Sequence, residues 1–321
     1  METVTTPGIG VSPTPTISLS QEDIAKLKPG QIVEHPPTES NPYYFYTYFP
    51  ESAVKKKNLV LLVWPHGGGM YSNDYNYHKK QAYYALDNMK SFLEKYKIPG
   101  LVCALSRPES VSGGDARKLN SHALNRESFI TSIEFYKRPD LKVIDTIWNQ
   151  YIPFLKTLGF NLDKKIYMMG FSSPGTFAHR FTIIHPEKIK AIWIGSSTTG
   201  PLPSDTFQDI TITYPLGISD LGELTGNSFD WNIYQNIPQF MVVGSEDTHD
   251  FNDPDNPEYF TEDQVQIIHT YFPKERPKRQ EFLANYIKNK GGNVIFKMYE
   301  GVAHEIPEQM WEDAFDFLIS H

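Results

Sequence analysis

Ile166-Tyr-Met-Met-Gly-Phe-Ser-Ser-Pro-Gly175 is the stretch on which the fold turns. Its first four residues are strand formers. Gly175 to His185 reads as a helix stopped by Pro186. A serine at such a strand-to-helix turn is lifted above the sheet, at the positive end of the following helix. Small neighbours are needed because the helix passes close to the strand it leaves. Ser172, two residues after Gly170, is the favoured nucleophile; Ser173, with Gly175 two residues later, remains the alternative.

The same alternation runs outward in both directions. Tyr43–Phe49, Leu59–Trp64, Leu101–Leu105, Ala191–Ile194, Phe240–Val243 and Val294–Phe296 read as strands. Most are short apolar runs, as expected of strands covered on both faces. Between them, residues 79–97, 141–158 and 277–288 have helical spacing, and a last helix carries Trp311, Ala314, Phe315, Leu318 and Ile319. Repeated strand–helix units predict one α/β domain over residues 21–321, a mostly parallel sheet with helices on both faces. Two stretches break the pattern. Thr199–Ile237 is expected to be a lid or cap, and Thr248–Lys274 a loop opening with acidic residues.

Composition excludes several classes. Lys and Arg number 30 against 38 Asp and Glu, a net charge of −8, which gives no electrostatic reason to sit on nucleic acid or an anionic membrane. The apolar run Leu59–Trp64 is far too short to span a bilayer. Cys103, the single cysteine, allows no internal disulfide and reads as a buried strand residue. Residues 1–20 are a Thr/Pro-rich tether without a signal sequence. They favour an exported protein whose leader has been removed, with a cytoplasmic one as the alternative.

Three further features carry chemistry. Trp64-Pro-His-Gly-Gly-Gly69 follows a buried strand; Asp247 follows the Phe240–Val243 strand; His304 lies between the last strand and the last helix. Glu246 and Asp250 are rivals to Asp247. The order Ser172, Asp247, His304 is not that of chymotrypsin-like or subtilisin-like enzymes. The loop Asp247–Asp255 lacks the spacing of a calcium hand and reads as a solvated turn. No metal and no organic cofactor is expected.

From about Tyr43 to Ile319 the chain resembles the α/β-hydrolase superfamily of serine esterases. Within it, the chain is similar to bacterial carboxylesterases related to polyhydroxybutyrate depolymerases and to feruloyl and acetyl xylan esterases. The resemblance implies that Ser172 sits on a nucleophile elbow, that Asp247 and His304 complete its triad, and that the His-Gly-Gly-Gly stretch is the oxyanion hole. Gly67 or Gly68 would supply one N–H donor and Ser173 the other. One departure stands out: the usual G-x-S-x-G has Pro174 where its last glycine belongs. Proline is tolerated in a first helical turn, where its N–H would be unpaired anyway. Tyr71 and Tyr75 are expected to line the acyl pocket, with core packing as the alternative. The partner implied is a small-molecule or polymer-derived ester. Other readings are a catalytically inactive binding or scaffold module, and a serine peptidase or lactonase of the same superfamily.

Overall fold

The apolar runs form the middle of an eight-stranded sheet. The computed structural model describes residues 19–66, 68–112, 116–197, 200–248 and 260–321. Its sheet strands are β1 (Ile32–His35), β2 (Phe45–Tyr48), β3 (Leu62–His66), β4 (Gly100–Ala104), β5 (Ile166–Phe171), β6 (Ile189–Gly195), β7 (Gln239–Gly244) and β8 (Val294–Tyr299). Their spatial order is β1-β2-β4-β3-β5-β6-β7-β8. The strand β2 runs antiparallel to both its neighbours, β1 and β4, and every other neighbouring pair is parallel.

Strand order reverses between β3 and β5, the place where an open α/β sheet leaves a crevice at its carboxyl ends. The β3–β5 ladder pairs only Leu62 with Tyr167 and Val63 with Met168. Beyond it the two strands separate, and Pro65 needs no donor on that side. The glycine stretch leaves β3 and the serine turn leaves β5, so both open onto this gap.

Alternate residues of each strand enter different cores. Val63, Leu101, Met168, Ile194 and Met241 join one cluster. Trp64, Val102, Met169, Trp193 and Val242 join the other, beneath α2 (Tyr75–Tyr96) and α7 (Glu308–Ile319). Also on the chain are α1 (Gln21–Leu27), α3 (residues 139–157), α4 (Ser173–Ile184), α5 (Glu262–Tyr271) and α6 (Arg276–Asn289). Cys103 is buried, and burial pushes its thiol up to about 12.

The structure departs from the sequence reading in several places. Leu59–Trp64 is not one strand: Asn58–Leu59 pairs with Asn161–Leu162 outside the main sheet, and β3 begins at Leu62. The helix expected from residue 79 begins at Tyr75, because the Asp74 side chain accepts the N–H of Asn76 and caps it. Within α3, Asp145–Tyr151 is a π turn just ahead of Pro153. Its wider ladder accommodates the donor that proline lacks. The stretch read as the loop Thr248–Lys274 contains α5, opened by a capping box in which Thr261 and Gln264 bond each other's backbone. Residues 1–18 of the tether lie outside the described residues.

From the insertion at residues 200–237, Leu202, Ile212, Tyr214, Leu216, Leu221 and Tyr234 are buried in the first core cluster. The Arg126 guanidinium pairs with Asp220 and pins this segment to the body.

Candidate active site

Ser172 stands between β5 and α4 with φ 63° and ψ −129°, a conformation that a non-glycine residue adopts only when its surroundings impose it. They do so from both sides. The Ser172 N–H donates to the Gly195 carbonyl (2.8 Å), and its own carbonyl accepts from Thr176 (3.0 Å). A Cβ on Gly170 would meet the Pro174 carbonyl oxygen at 2.2 Å, and one on Gly175 would meet the carbonyl oxygens of Gly195 and Gly170 at 2.7 and 2.8 Å. Gly175 therefore serves the close approach for which the usual pattern keeps its last glycine. Pro174 sits harmlessly in the first turn of α4.

His304 reaches the serine from the β8–α7 loop. That loop crosses the end of β7 at Gly244, where a Cβ would lie 2.1 Å from the Val302 carbonyl oxygen. The Nε2 atom of His304 is 2.9 Å from Ser172 Oγ, and its Nδ1 is 2.9 Å from Asp247 Oδ2. The Asp247 side chain is fully buried. Burial alone would raise its carboxyl. The His304 hydrogen bond and the Arg276 charge outweigh that and hold it below the usual carboxylate value.

Arg276, the first residue of α6, was not singled out by the sequence. Its Nη1 lies 3.1 Å from Asp247 Oδ1, and its Nη2 donates to the Ser196 carbonyl. A signal existed in the chain: Arg276, Lys278 and Arg279 occupy the first turn of a helix, the end where the helix dipole disfavours cations.

Beside the serine is a cavity of about 430 Å³. Trp64, Phe171, Trp311 and Ile306 give it an aromatic and apolar wall; Gln81, Tyr84, Ala85 and Asn88 line it from α2. These last four recur at helical spacing, so one stripe of α2 faces the cavity. No described residue of the 200–237 segment lines it.

Of the expected oxyanion donors, Gly67 lies outside the described residues. Gly68 lines the cavity, and its N–H donates to His66 Nδ1 at 3.1 Å. Burial, reinforced by His78, pushes His66 down to about 4, so its ring is neutral and Nδ1 can accept. The Arg107 guanidinium holds the Gly69 carbonyl and stacks 3.9 Å from the Tyr71 ring, fixing the far side of the loop. Ser173 is buried at the start of α4 and also lines the cavity. Its N–H belongs to the first helical turn, the end of a helix from which backbone donors point outward.

Tyr71 and Tyr75 do not line the cavity. Tyr75 donates to the Ala104 carbonyl (2.7 Å) and accepts from the Tyr44 N–H (3.1 Å), which turns it into the packing between sheet and α2. Glu246 is exposed, and Asp250 lies outside the described residues. Among the described residues no group of three or more His, Cys, Asp or Glu is placed to hold a metal ion.

The strand order, the crossovers and the serine turn together decide the architecture. The chain has the α/β-hydrolase fold. Poly(aspartic acid) hydrolase-1 from Sphingomonas sp. KT-1 shares it with a TM-score of 0.57 and 15% identity, over 90% of this chain and 97% of that one. The poly(3-hydroxybutyrate) depolymerase LpqC from Bordetella parapertussis is similar with a TM-score of 0.57 and 14% identity, over 94% and 96%. An arylesterase follows at 0.51 and 12%, over 93% and 88%. No protein-family model and no curated protein matches the sequence. No helix among the described residues is long and apolar enough to cross a membrane.

Proposed function

We propose that this α/β-hydrolase-fold protein is a serine esterase that cleaves carboxylic esters through an acyl-enzyme. One observation carries the reading: Ser172 Oγ, His304 and buried Asp247 stand in a single hydrogen-bonded line, with both contacts at 2.9 Å. His304 takes the Ser172 proton as the oxygen attacks the ester carbonyl, and Asp247 orients the ring and stabilises its charged form. His304 then protonates the departing alcohol and activates water against the acyl-serine.

The developing alkoxide is held by the Ser173 N–H and by N–H groups of the glycine loop at Gly67 and Gly68. Gly68 must turn its N–H from His66 Nδ1 to the oxyanion as the charge develops. Each such donor is worth about 3 kcal/mol of barrier. The cavity takes a small or polymer-derived ester, and its aromatic wall suits an apolar or flat group. The fold neighbours include a poly(3-hydroxybutyrate) depolymerase and an arylesterase, in keeping with that choice.

Pre-steady-state mixing with p-nitrophenyl acetate tests the reading. It predicts turnover with an alcohol burst of one equivalent per chain, lost in Ser172→Ala. Absence of turnover across p-nitrophenyl esters from acetate to palmitate and methyl ferulate would replace it with an inactive binding module.

A further inference from the structure

The carboxylate of Asp247 uses one oxygen on His304, at 2.9 Å, and the other on Arg276, at 3.1 Å. The same guanidinium donates to the Ser196 carbonyl and lies 3.4 Å from His304 Nδ1. Arg276 therefore ties the end of β6 to the acid that follows β7 and to the base in the loop after β8. We infer that Arg276 is a positioning residue of the esterase reaction, a fourth member of the line that acts on Ser172 chiefly by holding Asp247. The inference rests on the serine-esterase reading above.

Taking the charged partner away from a fully buried carboxylate is costly, and the carboxylate relieves that cost by rotating toward another donor or by taking up a proton. Either change removes the acceptor that keeps His304 in the tautomer with Nε2 facing the serine. With Arg276 in place, both oxygens are fixed before substrate arrives, so the imidazolium formed during attack meets a carboxylate already oriented toward it. Arg276 begins α6, where the helix dipole opposes a positive charge, and it is almost wholly buried there. Helix stability does not account for an arginine in that place; the buried carboxylate in front of it does.

No atom of Arg276 is required to touch the ester. Its loss should therefore lower kcat and leave KM nearly unchanged, unlike the loss of a cavity wall. Because it acts through Asp247, its effect should vanish once Asp247 has lost its charge.

The experiment measures kcat and KM for p-nitrophenyl acetate in the full chain, in Arg276→Met, in Asp247→Asn and in the double variant. The expected result is a fall in kcat of roughly 10- to 100-fold in Arg276→Met, the scale on which a displaced catalytic group loses rate, with KM within about twofold. In the Asp247→Asn background the same substitution should change kcat by less than about twofold. Arg276→Lys, whose single ammonium keeps the charge, should recover part of the rate. If Arg276→Met does not fold, Arg276→Gln takes its place, being neutral yet still able to donate to the Ser196 carbonyl. A folded variant with unchanged kcat, a loss seen in KM, or an equal loss in both backgrounds would overturn the inference. An inactive wild-type chain would instead overturn the esterase reading itself.

Discussion

A Cβ on Gly170 would stand 2.2 Å from the carbonyl oxygen of Pro174, so the end of β5 and the first turn of α4 share space that no side chain can enter. This contact forces the turn that raises Ser172. Gly170→Ala must push α4 away or flatten the turn. We expect a loss of about 1–3 kcal/mol in urea unfolding, the cost of overpacking a tight contact, together with slowed acylation of Ser172. Wild-type stability and acylation rate in the variant would contradict the assignment of the turn.

Pro174→Gly restores the usual spacing of the elbow, yet Gly175 already provides the close approach to Gly195. The substitution should leave kcat/KM within about threefold while lowering stability by roughly 1 kcal/mol, because glycine has more unfolded freedom to lose than proline. A large gain in activity would mean that Pro174 obstructs the site.

Ala85 lines the cavity from α2, between Gln81 and Asn88. Phenylalanine there would occupy part of the roughly 430 Å³ beside Ser172. Ala85→Phe should reduce kcat/KM for p-nitrophenyl decanoate by about tenfold or more and alter that for the acetate little, since each lost methylene contact is worth about 0.8 kcal/mol. An unchanged ratio between the two esters would place the acyl chain elsewhere.

Asp140 is a second buried carboxylate, held by Arg138 at 2.8 Å and His185 at 2.9 Å. Burial would raise it, but the His185 hydrogen bond and the Arg138 pair outweigh burial and depress it. A depressed carboxylate contributes stability that is fully present above its unfolded value and is lost as pH falls through its folded one. Urea midpoints taken downward from pH 7 should therefore fall below the ordinary carboxylate range, near pH 4. Asp140→Asn should flatten that acid limb while costing about 3 kcal/mol at pH 7. An unaltered limb would assign acid lability to other groups.

Much of the fold was legible because buried parallel strands are written as apolar runs and amphipathic helices repeat at helical spacing. Met169–Gly175 announced its turn through steric demands that few residues meet. What escaped has particular causes. Ile32–His35 is a half-exposed edge strand with one antiparallel neighbour, so it lacks an apolar run. Helix α5 was hidden in a polar segment, although Thr261 and Gln264 carried the signature of a capped start. Val60 and Leu61 continue an apolar run in composition but join two separate pairings in space. Arg276 escaped because its partner lies 29 positions away, and only folding brings the two together. Likewise, no local pattern shows that the Gly68 N–H faces His66, or that α2 supplies a cavity wall in place of Tyr71 and Tyr75.

On the proposed function, the line from Asp247 through His304 makes Ser172 a nucleophile. Labelling with a fluorophosphonate, followed by mass mapping of the modified peptide, tests it most directly. One adduct per chain is expected, on Ser172, absent from Ser172→Ala and slowed by several orders of magnitude in His304→Ala. An adduct on Ser173, or labelling that persists at the same rate without His304, would contradict it.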